Sequence, residues 1–432
     1  MARLSRATIA VACGLAAFSR CVCAPQDRGG DDDLPPPIDA RPPPVIDAPP
    51  EIDAPDNPTG LPPDCFDAAK RGLAWLVTQQ QVDGHYGSTY PTATTAFAVL
   101  KLETYAQELG LSAFDQTFVY HNQVKAGLDY LFLQARKVPI GPQLHGNPDG
   151  NGNGLGVLFA GNGIGEEIYE HSVVVMAIAA GAKPDQLVNV PGSEVDGETY
   201  RAVLEDAVDY LSWAQADASS SSSSSCLRGG WRYESFDNSG EVGDNSVTQW
   251  ATLALEYARH PLYHYEIPVQ DWVLTEVRDW VTCIQNHSGG SDDGGSGYTS
   301  PSSIVNAYKT GALIQQASFL GDMADTANMM AAQAYLQRVW LNPSIGWKNP
   351  PVSDYLAMYA IMKGMESMAI DSLGPIDWYR EFCDELKLEQ HPDGSWSPTT
   401  WDRERVGGSG LQSTEWALLV LEKAAPPPEI IP

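Results

Sequence analysis

Positive charge is scarce in this chain. Its 432 residues hold 26 Lys and Arg against 55 Asp and Glu, a formal net charge of −29. The first 65 residues carry only 10 of those acids and 5 of those basic residues, so the excess belongs to the remainder. A surface this negative repels nucleic acid and anionic lipid head groups, which argues against both as partners. Long apolar runs are also missing. The stretch Ala7–Phe18 falls well short of the roughly 20 residues a transmembrane helix needs, and no other run is longer. Cysteine is sparse: 7 residues, with Cys13, Cys21 and Cys23 at the N-terminus and Cys65, Cys226, Cys283 and Cys383 spread beyond it.

What is present begins with an export signature. Arg3 and Arg6 precede the short apolar stretch, so residues 1–24 read as a signal peptide or a lipoprotein signal. Arg20 before Cys21 and Val22 before Cys23 fit a lipobox poorly, and lipid anchoring stays open. Residues 25–64 repeat a Pro-rich phrase ending in Ile38-Asp39-Ala40, Ile46-Asp47-Ala48 and Ile52-Asp53-Ala54. Proline fixes φ and removes donors, so this segment is expected to be a disordered, extended spacer. Pro426–Pro432 reads as a Pro-rich tail from 425 to 432, and Ser219–Ser225 as a solvated loop. The expected location is outside the cytoplasm: periplasmic, anchored at the outer membrane, or extracellular.

Between these segments one phrase recurs six times: an aromatic-aliphatic helix, a Gly-rich or aromatic loop, then a second helix rich in small apolar residues. The clearest copy is Arg71, Gly72, Trp75, Leu76, Gln80, Gly84, Tyr86; the last is Leu386, Gln390, Gly394, Trp396. Weaker copies sit at Tyr130-Leu131-Gln134, Tyr210-Leu211-Gln215, Trp280-Val281-Gln285 and Tyr335-Leu336. Units of this kind cannot bury their apolar faces alone and must stack. Helical spacing predicts first helices over Phe66–Gln81, Lys125–Arg136, Tyr200–Ala216, Trp272–Asn286, Asn328–Leu341 and Ile376–Gln390. The second helices are predicted over Thr94–Leu109, Glu166–Ala180, Asn245–Arg259, Ser303–Leu320, Asp354–Met368 and Gln412–Lys423. First helices are amphipathic and second helices are apolar nearly all round, which sorts them into an outer and an inner ring. An open solenoid is the alternative. Ring closure would bring Cys65 to Cys383, and Cys226 to Cys283 in neighbouring units; four buried free thiols remain the other reading.

The phrases Arg71-Gly72-x-x-Trp75-Leu76 to Gln80-x-x-x-Gly84-x-Tyr86 and Gln390-x-x-x-Gly394-x-Trp396 resemble the Gln-Trp repeats of squalene and oxidosqualene cyclases. Gln412-Ser413-Thr414-Glu415-Trp416 resembles the final inner helix of a squalene–hopene cyclase. The resemblance covers about residues 66–424. It implies an all-α fold, the (α/α)6 toroid of terpenoid cyclases and protein prenyltransferase β subunits, in which the Gln and the aromatic stiffen the shell. The reactive signatures do not carry over. The Asp-x-Asp-Asp-Thr-Ala acid motif of cyclases falls on Pro91-Thr92-Ala93-Thr94-Thr95-Ala96, and the run Asp31–Asp33 lies in the spacer. The zinc-binding Asp-x-Cys of prenyltransferases falls on Asp244-Asn245-Ser246, where a neutral hydroxyl replaces a thiolate, with no matching His in the next inner helix. The Gly-Cys-Gly-Glu-Gln of thioester toroids is absent. Cyclase and zinc prenyltransferase activity are therefore not expected.

A ring of this kind opens where inner helices start, and free N–H groups converge there. Thr94, Glu170, His171, Asp244, Asn245, Ser246, Ser303, Asp354 and Ser413 are placed near those starts. Each could be an ordinary helix cap. The functional alternative takes Glu170, Asp244 and Asp354 as catalytic carboxylates and His171 as a proton shuttle, a set suited to acid–base chemistry on a glycan. Trp231, Arg232 and Tyr233 offer flat faces and a fork donor for sugar or lipid stacking, or else stiffen the loop. Asp149, Asn151 and Asn153 with Gly154 match the first half of a calcium loop, but position twelve is Ala160, so Ca²⁺ would need Glu166 or Glu167 from farther along. The expectation is an exported protein binding an apolar or glycan ligand. The alternative is an enzyme of the same fold: a polysaccharide lyase or hydrolase, or a divergent terpenoid enzyme.

Overall fold

The computed structural model describes residues 60–161, 165–217, 226–235 and 243–426. The signal, nearly all of the spacer, the serine run and most of the Pro-rich tail lie outside these residues. The first helix of each pair is α1 (Pro63–Val77), α3 (His121–Leu133), α5 (Tyr200–Ala214), α7 (Asp271–Ile284), α9 (Ala327–Val339) and α11 (Trp378–Glu389). The second is α2 (Pro91–Glu108), α4 (Glu167–Ala180), α6 (Asn245–Arg259), α8 (Ala307–Phe319), α10 (Tyr355–Ser367) and α12 (Leu411–Leu421). All twelve predicted helices are present among the described residues, and their ends lie within a few residues of the expected ones.

Even-numbered helices are buried almost all round; every residue of α12 is buried. Odd-numbered helices other than α5 bury one stripe, as α1 does with Phe66, Ala69, Leu73 and Leu76; α5 is covered on more of its surface. Sorting by burial therefore gives an inner and an outer layer. The inner helices touch in the cyclic order α2, α4, α6, α8, α10, α12, and α12 returns to α2. The ring is closed, and the open solenoid is excluded. At one inner crossing Gly311 and Gly364 face each other. A Cβ on Gly311 would lie 2.6 Å from the Ile361 nitrogen, so α8 and α10 meet backbone to backbone.

The repeated glutamines explain the outer layer. Gln80 Nε2 donates to the Gly84 carbonyl at 3.0 Å and to the Gln123 carbonyl at the start of α3 at 2.9 Å. Gln215 reaches Gly229 and Val273, and Gln285 reaches Gly294 and Asn328. Gln390 reaches Gly394 and, across the seam, Ala68 of α1. Each glutamine thus ties the end of one outer helix to the beginning of the next, at about 1 kcal/mol net per bond. The glycine it holds presses on the neighbouring helix backbone. Gly394 has φ 96°, and a Cβ there would lie 2.2 Å from the Arg71 carbonyl oxygen. Thr95, Thr248, Thr310 and Thr414 on the inner helices each accept a loop N–H, from Tyr86, Trp231, Ser296 and Trp396.

Unit two departs from the pattern. The insertion after α3 forms an antiparallel hairpin, β1 (Ala135–Pro139) with β2 (Leu155–Phe159), in the register Ala135 to Phe159. The fold stays helical apart from this hairpin. Gln134 consequently reaches only the Tyr130 carbonyl of its own helix. Both cysteine pairs are disulfides: Cys65–Cys383 and Cys226–Cys283, each with Cα atoms 5.8 Å apart. The first joins the outermost units across the seam, where Arg71 also donates to Gln390. Two disulfides fit an oxidising compartment. No helix among the described residues is long and apolar enough to cross a membrane.

Candidate functional site

The first turns of all six inner helices surround a cavity of about 560 Å³. A helix start points its N-cap and the residues three, four and seven positions on toward one side. That stripe is Tyr90, Ala93 and Phe97 on α2, and Glu166, Tyr169, Glu170 and Val173 on α4. Ser246 and Trp250 come from α6, Tyr308 and Lys309 from α8, Asp354 and Leu356 from α10, Gln412 and Trp416 from α12. Tyr233, Tyr298 and Trp401 add rings from the connecting loops. The Trp250 ring stacks on Tyr359 at 5.2 Å and meets Phe97 edge-on at 5.4 Å, which fixes the deeper wall.

The polar groups on this wall form two sets. In the first, Tyr169 donates to Ser246 Oγ at 2.7 Å, and Ser246 donates to Asp244 Oδ1 at 2.5 Å. The phenols of Tyr233 and Tyr298 lie 2.6 Å apart beside it. In the second, Lys309 lies with its ammonium 4.1 Å from the Tyr308 ring centroid and 5.4 Å from that of Tyr298. Burial lowers its pKa to about 8, while the charges of Asp244 and Asp354 pull the other way. Asp354 caps α10 by accepting from the Ala357 N–H at 3.0 Å, and burial raises its pKa. Glu170 accepts from the Gly161 N–H at 2.5 Å, and burial also raises it.

The residues singled out from the sequence divide accordingly. Glu170 and Asp354 reach the cavity, and Asp244 communicates with it through Ser246. His171 does not reach it: Phe159 N–H donates to its Nδ1 at 3.1 Å and its Nε2 lies 3.1 Å from the Ala207 carbonyl. Both nitrogens are engaged and the ring is buried away from the cavity; burial lowers its pKa to about 4. Trp231 is likewise removed from ligand binding. It is fully buried and donates Nε1 to the Leu211 carbonyl at 2.8 Å, as Trp396 does to Leu386. It is a shell residue, the loop-stiffening alternative. Tyr233 is on the wall, and Arg232 packs 5.0 Å from its ring without lining the cavity. Thr94, Asn245 and Ser413 are held by Tyr86, by Ser296 and Gln316, and by Asp402. Ser303 closes a turn with Ser300. The sequence reading missed Tyr169, Trp250, Tyr298, Lys309 and Trp416; the stripe of positions leading in from the inner helix starts was the signal for Tyr169, Trp250 and Trp416, whereas Tyr298 lies on a loop and Lys309 is placed only by closure of the ring.

The residues present do not fit zinc. Asp244 is bound by the Ser246 hydroxyl, and the next inner helix contributes Lys309, whose ammonium has no lone pair to donate. The loop read as a calcium site is folded on itself. Asp149 accepts from the Gly152, Asn153 and Gly154 N–H groups, while Asn151 and Asn153 point their amide N–H groups at Asp206. A separate cluster of His145, Asp217 and Glu276 has the spacing of metal ligands. Its Glu276 is taken by the Arg228 guanidinium and its Asp217 by His145.

No family model matches the sequence, and no curated protein matches it. Among solved structures, an inactive α-1,6-mannanase of Salegentibacter sp., in complex with α-1,6-mannotetrose, is 12% identical, with a TM-score of 0.50 over 83% of this chain and 98% of that one. A type II terpene cyclase from Scytonema with geranylgeranyl dihydroxybenzoate is 13% identical, with a TM-score of 0.46 over 84% and 97%. The protein geranylgeranyltransferase-I of Candida albicans with GGPP is 12% identical, with a TM-score of 0.46 over 77% and 84%. Identities this low speak to fold alone, and the fold is the α/α toroid that the Gln-Trp phrases resemble.

Proposed function

We propose that this protein binds a small ligand with apolar or ring surfaces, an isoprenoid-like or glycan molecule, in the cavity at the starts of its inner helices. One observation carries the reading: a cavity of drug-ligand size, drawn from all six inner helices, with nine aromatic rings among its 24 lining residues. The shell supports it, since the four glutamine staples hold every contributing loop but those of units two and five. Cyclase and zinc prenyltransferase chemistry remain outside the proposal, because neither a strong-acid motif nor a thiolate is present at the matching positions. An exported setting, periplasmic or beyond, is part of the same reading and is supported by the two disulfides. The test is a thermal-shift screen of the full chain with isoprenoids and neutral oligosaccharides, repeated with Trp250→Ala and Trp416→Ala. A ligand that raises the midpoint of the parent but not of these variants supports the cavity. Ligands that stabilise all three proteins equally would place binding elsewhere.

A second reading, a hydrolase or lyase acting on a glycan, draws on Glu170 and Asp354. Both carboxyls face the cavity, from α4 and α10, which stand three places apart in a ring of six and hence opposite each other. Burial raises both, as an acid catalyst at neutral pH requires. Turnover of an oligosaccharide abolished by Glu170→Gln and by Asp354→Asn would favour this reading; turnover that survives both removes it.

A further inference from the structure

The other fully buried lysines of this protein have oxygen partners. Lys101 pairs with Glu422, and Lys363 donates to the Tyr257 hydroxyl at 2.8 Å and to the Ala424 carbonyl. Lys309 differs. It is 7% exposed and faces the cavity. Among the described residues its ammonium makes no hydrogen bond and no ion pair within 4 Å. Among the described residues it is also the one cation that lines the cavity. Its ammonium opens on the cavity and not on an oxygen of the chain, so an acceptor carried by a ligand can reach it and make a charge-assisted hydrogen bond. The surroundings keep it charged. The ring faces of Tyr308 and Tyr298 attract it, and the neighbouring Asp244 and Asp354 favour its protonated form. Neither carboxylate pairs with it: Asp244 is turned by its Oδ1 onto the Ser246 N–H and hydroxyl, and Asp354 by its Oδ1 onto the Ala357 N–H. The first turns of the inner helices add partial positive charge at the same place.

The geometry points to Lys309 as the anchor for the carboxylate of an acidic ligand, whose body lies along the aromatic wall. This rests on the cavity reading above and narrows it to acids. Two sources share the chemistry: an isoprenoid or fatty acid, and an oligosaccharide of uronic acids. Asp244 and Asp354 keep the ammonium protonated, and the rings of Trp250, Tyr308 and Trp416 receive the body.

The test pairs each acid with a neutral twin, farnesoic acid with farnesol and tri-galacturonate with tri-galactose, and measures affinity calorimetrically on the full chain near neutral pH. In whichever body class binds, the acid is expected to bind about tenfold more tightly than its twin, equivalent to about 1.4 kcal/mol. Lys309→Gln is expected to erase that ratio and to leave the affinity of the neutral twin in place. Should the variant not fold, the parent supplies a second measurement: the preference for the acid fades as pH rises past about 8, where Lys309 loses its proton. The other titratable groups facing it are Asp244, Asp354 and the phenols of Tyr298 and Tyr308. Burial holds both phenols above their ordinary value, so they stay neutral across that step. Equal affinity for acid and twin in the parent, or a preference unchanged by Lys309→Gln or by alkali, overturns the anchor and leaves the cavity reading standing. Binding of no member of either pair overturns both.

Discussion

Where the inner helices start, the barrel opens into a cavity walled by Trp250, Tyr308 and Trp416, with Lys309 unpaired among them. Where the same helices end, buried charges lie against one another or against oxygens of the chain. There Lys101 pairs with Glu422, Lys363 holds the Ala424 carbonyl, and Gln315 donates to Glu256 at 2.8 Å. The stacked rings of Tyr257 and Tyr263 close the floor at 4.8 Å. Cations suit helix C-termini, where carbonyls accumulate partial negative charge. Glu103 has no partner there, and burial drives it toward its neutral form. The difference teaches how to read buried charge in this fold. At the closed end it is answered within the chain and belongs to structure; at the open end it is left for something else to answer.

The largest expected effect tests the closed end. Replacing Lys101 by Met strands Glu422 in a site where both side chains are inaccessible. Breaking a buried pair from one side removes about 3–5 kcal/mol. Lys101→Met with Glu422→Leu should recover most of that loss, since neither charge then remains. Urea titrations of the parent, single and double variants check it. A single variant as stable as the parent would mean that the pair is not buried as described, and the contrast between the two ends would weaken.

Acid separates the ends in another way. His171 lies behind the open end, held neutral by burial with a pKa of about 4 against an ordinary 6.5. A lowered histidine takes up its proton only on unfolding, so its contribution is complete above pH 6.5 and is lost as pH falls toward 4. That amounts to about 3 kcal/mol over the interval. His171→Gln, which keeps one hydrogen bond and cannot take a proton, should flatten this part of the pH–stability curve. A variant curve parallel to the parent's between those limits would assign the acid sensitivity to other groups.

A smaller effect separates shell from cavity. Trp231→Phe removes the buried bond to the Leu211 carbonyl and should lower stability by about 1–2 kcal/mol while leaving ligand affinity unchanged. Trp250→Phe should do the reverse, weakening binding with less effect on the urea midpoint. The two rings were not separable in the sequence. Trp231 admits both stacking and loop stiffening in the sequence, although Gln215 stands ahead of it as Gln390 stands ahead of Gly394 and Trp396. The serine run between them hid that offset. The repeat itself was legible because Gln80 and Gln390 keep short, regular spacings to their glycines, and each must span the same gap. Lys309 was not legible. One lysine in the apolar run of α8 looks like a side chain reaching for solvent, and only closure of the ring shows that it faces a cavity. The hairpin was hidden because glycine and asparagine dominate its insertion, and Leu155–Phe159 is too short a run to separate strand from helix by period.

The least effect is expected at the seam, where charge is exposed. Asp64 lies 2.9 Å from Arg380 and also pairs with Lys387, with about half its side chain accessible. These cations hold its carboxyl well below the usual carboxylate range, Arg380 most of all. A lowered carboxyl contributes above its ordinary value of 3.8 and loses that contribution only as pH falls below it. The seam therefore takes no part in the loss assigned to His171 above pH 4. Solvent and salt screen such a group, so Asp64→Asn should shift stability by less than about 1 kcal/mol, and the shift should shrink further at high ionic strength. The Cys65–Cys383 bridge beside it holds the ends of the ring whether or not the charges do. Urea titrations of Asp64→Asn at low and high salt check the point. A loss rivalling that of Lys101→Met, or one insensitive to salt, would show that exposed charge in this fold counts as heavily as buried charge, and the distinction between the answered and the unanswered lysines would lose its basis.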